Sequence, residues 1–306
     1  MSDLLAAVAD LNRRLDDKLE VVFVVDGSPD RSYTILSERL PRLGVRAKLL
    51  LLSRNFGSFA AIRAGLAAGR GEFFAVMAAD LQEPPDLIER FFSVLKSGEF
   101  DVVVGTRESR ADPWLARLAS RIFWKFYRSL VVKEIPQGGV DVFGCNREFR
   151  DRVLELRESH SSLVALMFWL GFRRQAIAYT RLPRRHGRSA WTLRKKVKYL
   201  LDSVFAFTDL PIRLLMGAGI FGIGVSFLLG SAILVSRLLG NIPVPGYAAT
   251  ALLITFFGGL NTFGIGLVGN YAWRSYENSK LRPLAIIMRE TSYPPTELMH
   301  SGQSAS

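Results

Sequence analysis

The sequence predicts an α/β domain built on a doubly wound, mostly parallel sheet, followed by an amphipathic interfacial helix and a two-helix transmembrane hairpin. Three observations carry this. Short apolar runs alternate with helix-patterned stretches through the first half of the chain. Most of these runs end in polar, glycine-containing turns. Two long, nearly uncharged apolar segments lie towards the carboxyl end. Alternation of strand and helix argues for βαβ units and a parallel sheet.

Residues 4–19 carry Leu4, Leu5, Val8, Leu11 and Leu15 at helical spacing. A strand from Leu19 to Val25 follows and runs into Asp26-Gly27-Ser28-Pro29-Asp30. Gly27 permits a tight turn there, and Ser28 or Asp30 can cap the next helix. Val45 to Leu52 is the second strand, with Arg54-Asn55-Phe56-Gly57 beyond it. Arg54 can be a surface cation or reach a phosphate from the strand's carboxyl end. Residues 58–68 read as a helix packed tightly on the sheet.

Phe73-Phe74-Ala75-Val76-Met77 is a short continuous apolar run after the turn Gly69-Arg70-Gly71, the pattern of a buried parallel strand. It delivers Asp80 and Gln82 to its carboxyl end, where open α/β sheets bind ligands. Pro84 and Pro85 then open a helix over Asp86–Phe92. Asp101–Gly105 is a further strand, leading to Thr106-Arg107-Glu108-Ser109-Arg110. Residues 113–132 form a helix mixing aromatic and basic side chains. Gln137–Gly144 is a glycine-containing loop whose one carboxylate is Asp141.

Residues 160–171 are apolar but too few to cross a bilayer. A strand to about Arg181 leads to the loop Arg184-Arg185-His186-Gly187-Arg188-Ser189-Ala190-Trp191. From Leu193, Val197, Leu200, Leu201, Val204 and Phe205 recur at helical spacing, with Arg194, Lys195, Lys196 and Lys198 between them. That is an interfacial amphipathic pattern. Residues 212–235 and 247–267 are each long enough to span a membrane, and Asn261 and Thr262 are expected to bond across to the first of them. The link between them has only Arg237, whereas the outer flanks carry the basic cluster from Arg194 together with Arg274, Lys280 and Arg282. The positive-inside rule therefore places both ends in the cytosol of a multi-pass plasma-membrane protein. The tail from Thr291 is expected to fray.

The resulting division is a cytosolic domain over 1–192, a juxtamembrane helix over 193–211, two membrane helices within 212–270 and a cytosolic tail over 271–306. The chain of 306 residues carries 40 Lys and Arg against 28 acidic residues, a formal charge of +12. With apolar segments present, that balance favours an anionic membrane surface and phosphorylated substrates. Nucleic acid is disfavoured, because no recognised nucleic-acid module accompanies the basic helix. A single cysteine, Cys145, excludes an internal disulfide.

Asp80-Leu81-Gln82-Glu83-Pro84-Pro85 resembles the diphosphate-site motif of family-2 glycosyltransferases, in the branch that glycosylates polyprenyl phosphates. Val24-Val25-Asp26-Gly27-Ser28-Pro29-Asp30, Arg54-Asn55-Phe56-Gly57, Val104-Gly105-Thr106-Arg107 and Tyr276-Glu277-Asn278-Ser279-Lys280-Leu281-Arg282-Pro283 agree in order, so the resemblance covers roughly residues 4–288. It implies a GT-A-like fold and transfer of a sugar from a nucleotide-sugar to undecaprenyl phosphate for cell-envelope glycans. Asp80, Asp141 and Arg107 would be catalytic. Asp26, Gly27, Ser28, Arg54, Asp80 and Gln82 would hold the nucleotide-sugar. Arg110, Arg184, Arg188 and Ser189 would surround the acceptor phosphate. Asp80 and Gln82 would hold Mg2+ or Mn2+ weakly, because Ala78 stands where the family has a second aspartate.

Other departures are Val25 for the first of two aspartates, and Ala190 and Trp191 in the arginine-rich loop. The family also opens with a strand and a Pro-x-Tyr-Asn-type loop, whereas this chain begins at the helix after them. Either that strand lies upstream of Met1 or it has been lost. A catalytically weak, membrane-anchored scaffold is the rival reading that these departures support. A homo-oligomer is left open.

Overall fold

The computed structural model describes residues 1–107, 124–125, 127–129, 132, 134–136, 139–140, 142–158, 162–182, 193–239 and 246–295. The chain opens with α1 (Ser2–Arg14), β1 (Glu20–Val25), α2 (Ser32–Arg39), β2 (Arg46–Leu52), α3 (Ser58–Ala68), β3 (Phe73–Ala75), α4 (Asp86–Lys96) and β4 (Val102–Arg107). It continues with β5 (Phe143–Asn146), α5 (Arg147–Glu155), α6 (Leu163–Trp169) and β6 (Arg174–Tyr179). Last come α7 (Leu193–Phe207), α8 (Leu210–Leu238), α9 (Tyr247–Ser279) and β7 (Ile287–Tyr293).

Local chemistry explains several of these boundaries. The turn after α1 is pinned by Asn12, whose Nδ2 donates to Asp17 at 2.6 Å and whose Oδ1 accepts from the Leu19 amide at 3.1 Å. In α4, Leu87, Ile88, Phe91 and Leu95 are buried on one helical face, and Asp86 and Glu89 complement the dipole of its first turn. Asn146 Oδ1 accepts from the Phe149 amide to cap α5, and Ser162 Oγ accepts from the Ala165 amide to cap α6.

The described strands form two mixed sheets, in the orders β1-β2-β7 and β3-β5-β4-β6. The α/β architecture is as expected, but only β1–β2 and β4–β6 pair in parallel. β5 lies antiparallel to both β3 and β4, and β7 antiparallel to β2. The expected mostly parallel sheet is modified because β5 occupies what reads as a glycine-rich loop and β7 arrives from beyond α9. Part of the tail expected to fray, Thr291–Tyr293, is paired in β7. Its partner is β2, which supplies the ladder that a polar tail alone lacks.

Three apolar clusters hold the domain. One joins α1 and α2 to β1 and β2. Another joins α4 to β4 and to Leu11 of α1. The third packs α3, α5 and α6 against the other face of the second sheet around Phe74, Phe149 and Met167. Cys145 is fully buried there and its thiol is pushed up to about 12, first by burial, so it is no nucleophile at neutral pH.

α7 is tied to this third cluster by hydroxyls. Tyr127 Oη donates to Ser203 Oγ at 3.0 Å and stacks on Tyr199, whose own hydroxyl lies 2.7 Å from Ser162 Oγ. Beyond α7, one helix among the described residues is long and apolar enough to cross a membrane, Leu210–Ser236, with a mean hydropathy of 2.2. α9 packs against α8 in antiparallel sense. A Cβ on Gly222 would lie 2.6 Å from Phe257, and one on Gly264 3.3 Å from Leu215, so seven residues along α8 correspond to seven back along α9. Thr262 does not bond across to α8; its hydroxyl donates to the Gly258 carbonyl of its own helix at 2.9 Å. The base of the pair is fastened to α7 by Arg274 and Asp202 at 2.7 Å.

Candidate active site

A cleft of about 2080 Å³ opens between the two sheets, and its mouth lies beyond the carboxyl ends of β1, β3 and β4. Asp26, Ser28, Asp80, Gln82 and Arg107 all line it, as the sequence pattern leads one to expect. Gly27 and Arg54 lie beside it. The Arg54 guanidinium is exposed and sits 4.1 Å over the Phe56 ring. Asp141, Arg110, Arg184, Arg188 and Ser189 lie outside the described residues, as does most of the basic helix over 113–132.

Asp26 works on the backbone of the neighbouring loop. Its two carboxylate oxygens accept from the amides of Phe56 at 2.7 Å and Gly57 at 2.8 Å, and its carbonyl accepts from Asn55 Nδ2 at 3.2 Å. The loops after β1 and β2 touch so closely that a Cβ on Gly27, at φ +57°, would lie 2.2 Å from the Arg54 carbonyl carbon. Only glycine fits there. Asp30 Oδ1 accepts from the Ser32 amide at 2.9 Å in a local turn ahead of α2, whose N-cap position is Arg31 and has no side-chain cap, and hydrogen bonds from Ser32 lower the Asp30 pKa.

Asp80 follows β3 in a tight turn. The Gln82 amide donates to its Oδ1 at 3.3 Å, and Leu81 between them adopts φ +52°. A bulky residue in the left-handed region carries about 1–3 kcal/mol of strain, which clusters at functional sites. Gln82 is buried and bonded to the segment after β6. Its Oε1 accepts from Arg181 at 2.6 Å, its carbonyl from the Leu182 amide at 2.8 Å, and its Nε2 donates to the Leu182 carbonyl at 3.4 Å. Glu83, 2 % exposed, stands 3.6 Å from Arg181. Arg181 also lines the cleft, so it joins Arg107 as a second cation at the mouth. Sequence reasoning missed it, although a basic residue just past a strand's end was the signal already used for Arg54.

This donor set is sparse for a divalent cation. Among the described residues no three His, Cys, Asp or Glu side chains cluster as metal ligands. The Gln82 amide is engaged by Arg181 and Leu182. Asp80 therefore offers one carboxylate at the mouth, a set that suits magnesium or manganese only when the ion arrives with substrate phosphates.

Residues 2–200 match the model of glycosyl transferase family 2. The chain is 32% identical over 289 residues to the undecaprenyl-phosphate 4-deoxy-4-formamido-L-arabinose transferase of Edwardsiella ictaluri, covering 92% of this chain and 87% of that one. It is 30% identical over 277 residues to the bactoprenol glucosyl transferase of Shigella phage SfV, covering 89% of each. It is 31% identical over 274 residues to an uncharacterized glycosyltransferase, YkcC, of Bacillus subtilis, covering 89% of this chain and 84% of that protein. A matched model over most of the chain, and a cleft whose mouth carries Asp26, Asp80, Gln82 and Arg107, lead to one conclusion: this protein is a glycosyltransferase and belongs to glycosyl transferase family 2.

Proposed function

We propose that the protein moves one sugar from a nucleotide-sugar to a polyprenyl phosphate, of the undecaprenyl type, at the cytosolic face of the plasma membrane. The product serves the synthesis or modification of cell-envelope glycans. The observation that carries this reading is the path of the chain. A glycosyltransferase domain runs through α7 into α8, whose Phe221, Ile223 and Phe227 are more than 70% exposed, and returns through α9 to pair β7 with β2. A helix apolar all round and exposed along its length suits lipid. A chain that leaves the domain on α8 and rejoins it at β7 crosses a bilayer an even number of times. This supports a two-helix hairpin with both ends cytosolic, as do the basic residues at its base, Arg274, Lys280 and Arg282. The names of the bactoprenol and undecaprenyl-phosphate relatives point to the same acceptor class.

The reaction joins an acceptor phosphate oxygen to the anomeric carbon as the bond from that carbon to the donor's diphosphate oxygen breaks, releasing a nucleoside diphosphate. The acceptor phosphate is already anionic, so a strong base is not required. What the site must supply is alignment and stabilisation of the leaving diphosphate. Arg107 and Arg181 suit the second task, since guanidinium groups bind phosphate oxygens in pairs. Asp80 would hold Mg2+ or Mn2+ against the diphosphate, where the ion supplies Lewis-acid stabilisation of the leaving group. Gln82 holds the segment through Arg181 and Leu182, and Arg184, Arg188 and Ser189, which follow in the sequence, are assigned to the acceptor phosphate. Asp141 is assigned to the sugar and acceptor region. Membranes holding the protein, given labelled nucleotide-sugars, should yield labelled lipid that extracts into organic solvent; soluble label alone would count against the reading.

A further inference from the structure

The helix pair α8–α9 is attached to the domain at two points, one on each sheet. Ahead of α8, α7 docks on the cluster of the second sheet: Tyr199 and Leu200 pack against it, and Tyr127 Oη donates to Ser203 Oγ at 3.0 Å. Behind α9, β7 pairs with β2 of the first sheet, and the Ile286 carbonyl extends that contact by accepting from the Ser53 amide at 2.9 Å. Arg289 of β7 also lies 5.7 Å over the Tyr33 ring of α2. These two arms reach different walls of the mouth. Ser53 directly precedes Arg54, in the loop whose Phe56 and Gly57 amides hold Asp26. Asp80, Gln82 and Arg107 belong to the second sheet's wall.

The arms are tied to each other just before the apolar run of α8 begins. Asp202 of α7 accepts from Arg274 Nη2 of α9 at 2.7 Å, and Phe205 meets Tyr271 edge-on with ring centres 5.4 Å apart. Both contacts share one antiparallel register, three residues on along α7 and three back along α9. The Thr208 carbonyl then accepts from Tyr271 Oη at 3.5 Å. Arg274 is held from further sides: its Nε donates to Asn270 Oδ1 at 2.9 Å, and its guanidinium lies 5.1 Å over the Phe205 ring. Both charges are largely shielded, the Arg274 side chain being 16% and that of Asp202 26% exposed.

An apolar contact would hold two helices together as firmly, because a shielded ion pair spends much of its attraction on desolvation. What the pair adds is register: apolar faces can slide past one another, whereas a single carboxylate facing a single guanidinium fixes one alignment. The scale of a slip decides whether register matters. One residue along a helix is about 1.5 Å, and a misplacement of about 1 Å at reacting groups can cost roughly a hundredfold in rate. We propose that Asp202 and Arg274 are positioning residues for sugar transfer. Their pair locks the arm that carries the second sheet to the arm that carries the first, and so fixes both walls of the mouth relative to the bilayer. This rests on the proposed reaction, in which the donor lies in the domain and the acceptor phosphate is held at the membrane surface. Neither side chain lines the cleft, so both act through the elements they join.

The test compares the full chain with Asp202→Asn, Asp202→Glu, Arg274→Gln and the double variant Asp202→Asn/Arg274→Gln. Transfer is measured to undecaprenyl phosphate in vesicles and to a short-chain polyprenyl phosphate dispersed in detergent. Asp202→Asn and Arg274→Gln should each lose about tenfold or more in kcat on the vesicle acceptor, with KM for the nucleotide-sugar within about twofold of wild type. The dispersed acceptor can reach the mouth from solution, so its rate should fall by no more than about threefold. Asp202→Glu keeps the charge and should hold its rate on both, and the double variant should be no worse than the poorer single one. A second readout needs no sugar transfer. Spin labels on cysteines introduced at exposed Glu155, the end of α5, and exposed Ser279, the end of α9, report one distance, because Cys145 is buried. That distance should be narrow in the background chain and with Asp202→Glu, and broadened or shifted with Asp202→Asn. An unchanged distance in Asp202→Asn, or equal losses on both acceptors, overturns the proposal. Failure of wild type to glycosylate either acceptor would count against the proposed reaction instead, while the distances still decide whether the pair sets the position.

Discussion

Arg181 donates to the side-chain oxygen of Gln82 at 2.6 Å, joining the segment after β6 to the turn after β3. These two segments meet through a buried amide, a guanidinium and the buried carboxylate of Glu83. Replacing Arg181 by Met removes a cation from beside Glu83 and should cost about 2 kcal/mol of stability. Arg181→Met and Gln82→Met should each slow transfer about tenfold or more. If they act through one contact, the double variant will be little worse than the poorer single one. Rates that multiply in the double variant would show the two side chains acting separately.

The contact between Gly27 and Arg54 makes a second expectation. Gly27→Ala places a methyl 2.2 Å from backbone in a left-handed conformation, so the loops after β1 and β2 must part. A loss of about 3 kcal/mol or more in denaturant unfolding is expected. Asp26→Asn keeps one acceptor oxygen and turns an N–H group towards the amides of Phe56 and Gly57, for about 1–3 kcal/mol. Wild-type stability in both variants would mean that the two loops do not pack as described.

The first of these sites was partly legible in the sequence. Asp26, Asp80, Gln82 and Arg107 could be placed because strand ends of an α/β sheet are marked by where apolar runs stop. Residues 58–68 were read with the bounds of α3, since small apolar residues end at Gly69. What could not be read were partners distant in sequence. The ion pair and hydrogen bond of Arg181 reach back to Gln82 and Glu83, and nothing local to Arg181 marks them. β5 is four residues long and follows glycines, so it carries almost no periodicity. β7 contains Arg289, Glu290, Thr291 and Ser292, polar residues that suit an exposed edge and resemble a tail until β2 supplies the ladder. The split of the sheet likewise depends on pairing, which no single run reveals.

Asp101 supplies a pH-dependent stability. Arg173 donates to both its carboxylate oxygens, at 2.9 and 2.8 Å, and Asn146 Nδ2 to one of them at 3.0 Å. The hydrogen bond from the Arg173 side chain is the main cause that holds this carboxyl below its usual range, against the opposing effect of burial. A depressed folded pKa means that the unfolded chain binds the proton more readily as pH falls. The stabilisation is complete above the ordinary carboxylate value of about 3.9 and is lost as pH drops through the lower folded value. Asp101→Asn should lower the melting temperature by roughly 4–8 °C at pH 7, with the difference shrinking below about pH 4. A difference unchanged into that acid range would contradict the assignment.

The lack of a cluster of three metal-ligating side chains among the described residues predicts how metal binds. Calorimetry should detect little binding of Mg2+ or Mn2+ to the protein alone, and clear binding once a nucleoside diphosphate is present. Ala78→Asp, beside Asp80 on the cleft wall, should tighten it. Tight binding without nucleotide would place the ion elsewhere.

The most direct measurement compares wild type with Asp80→Asn in membranes supplied with polyprenyl phosphate and labelled nucleotide-sugars. The account predicts that one nucleotide-sugar gives an organic-extractable glycosylated lipid and an equal amount of nucleoside diphosphate. It also predicts that Asp80→Asn loses at least a hundredfold in rate, about 2.7 kcal/mol of transition-state stabilisation, while the protein remains folded. Full activity in Asp80→Asn, or nucleoside diphosphate released without labelled lipid, would contradict it.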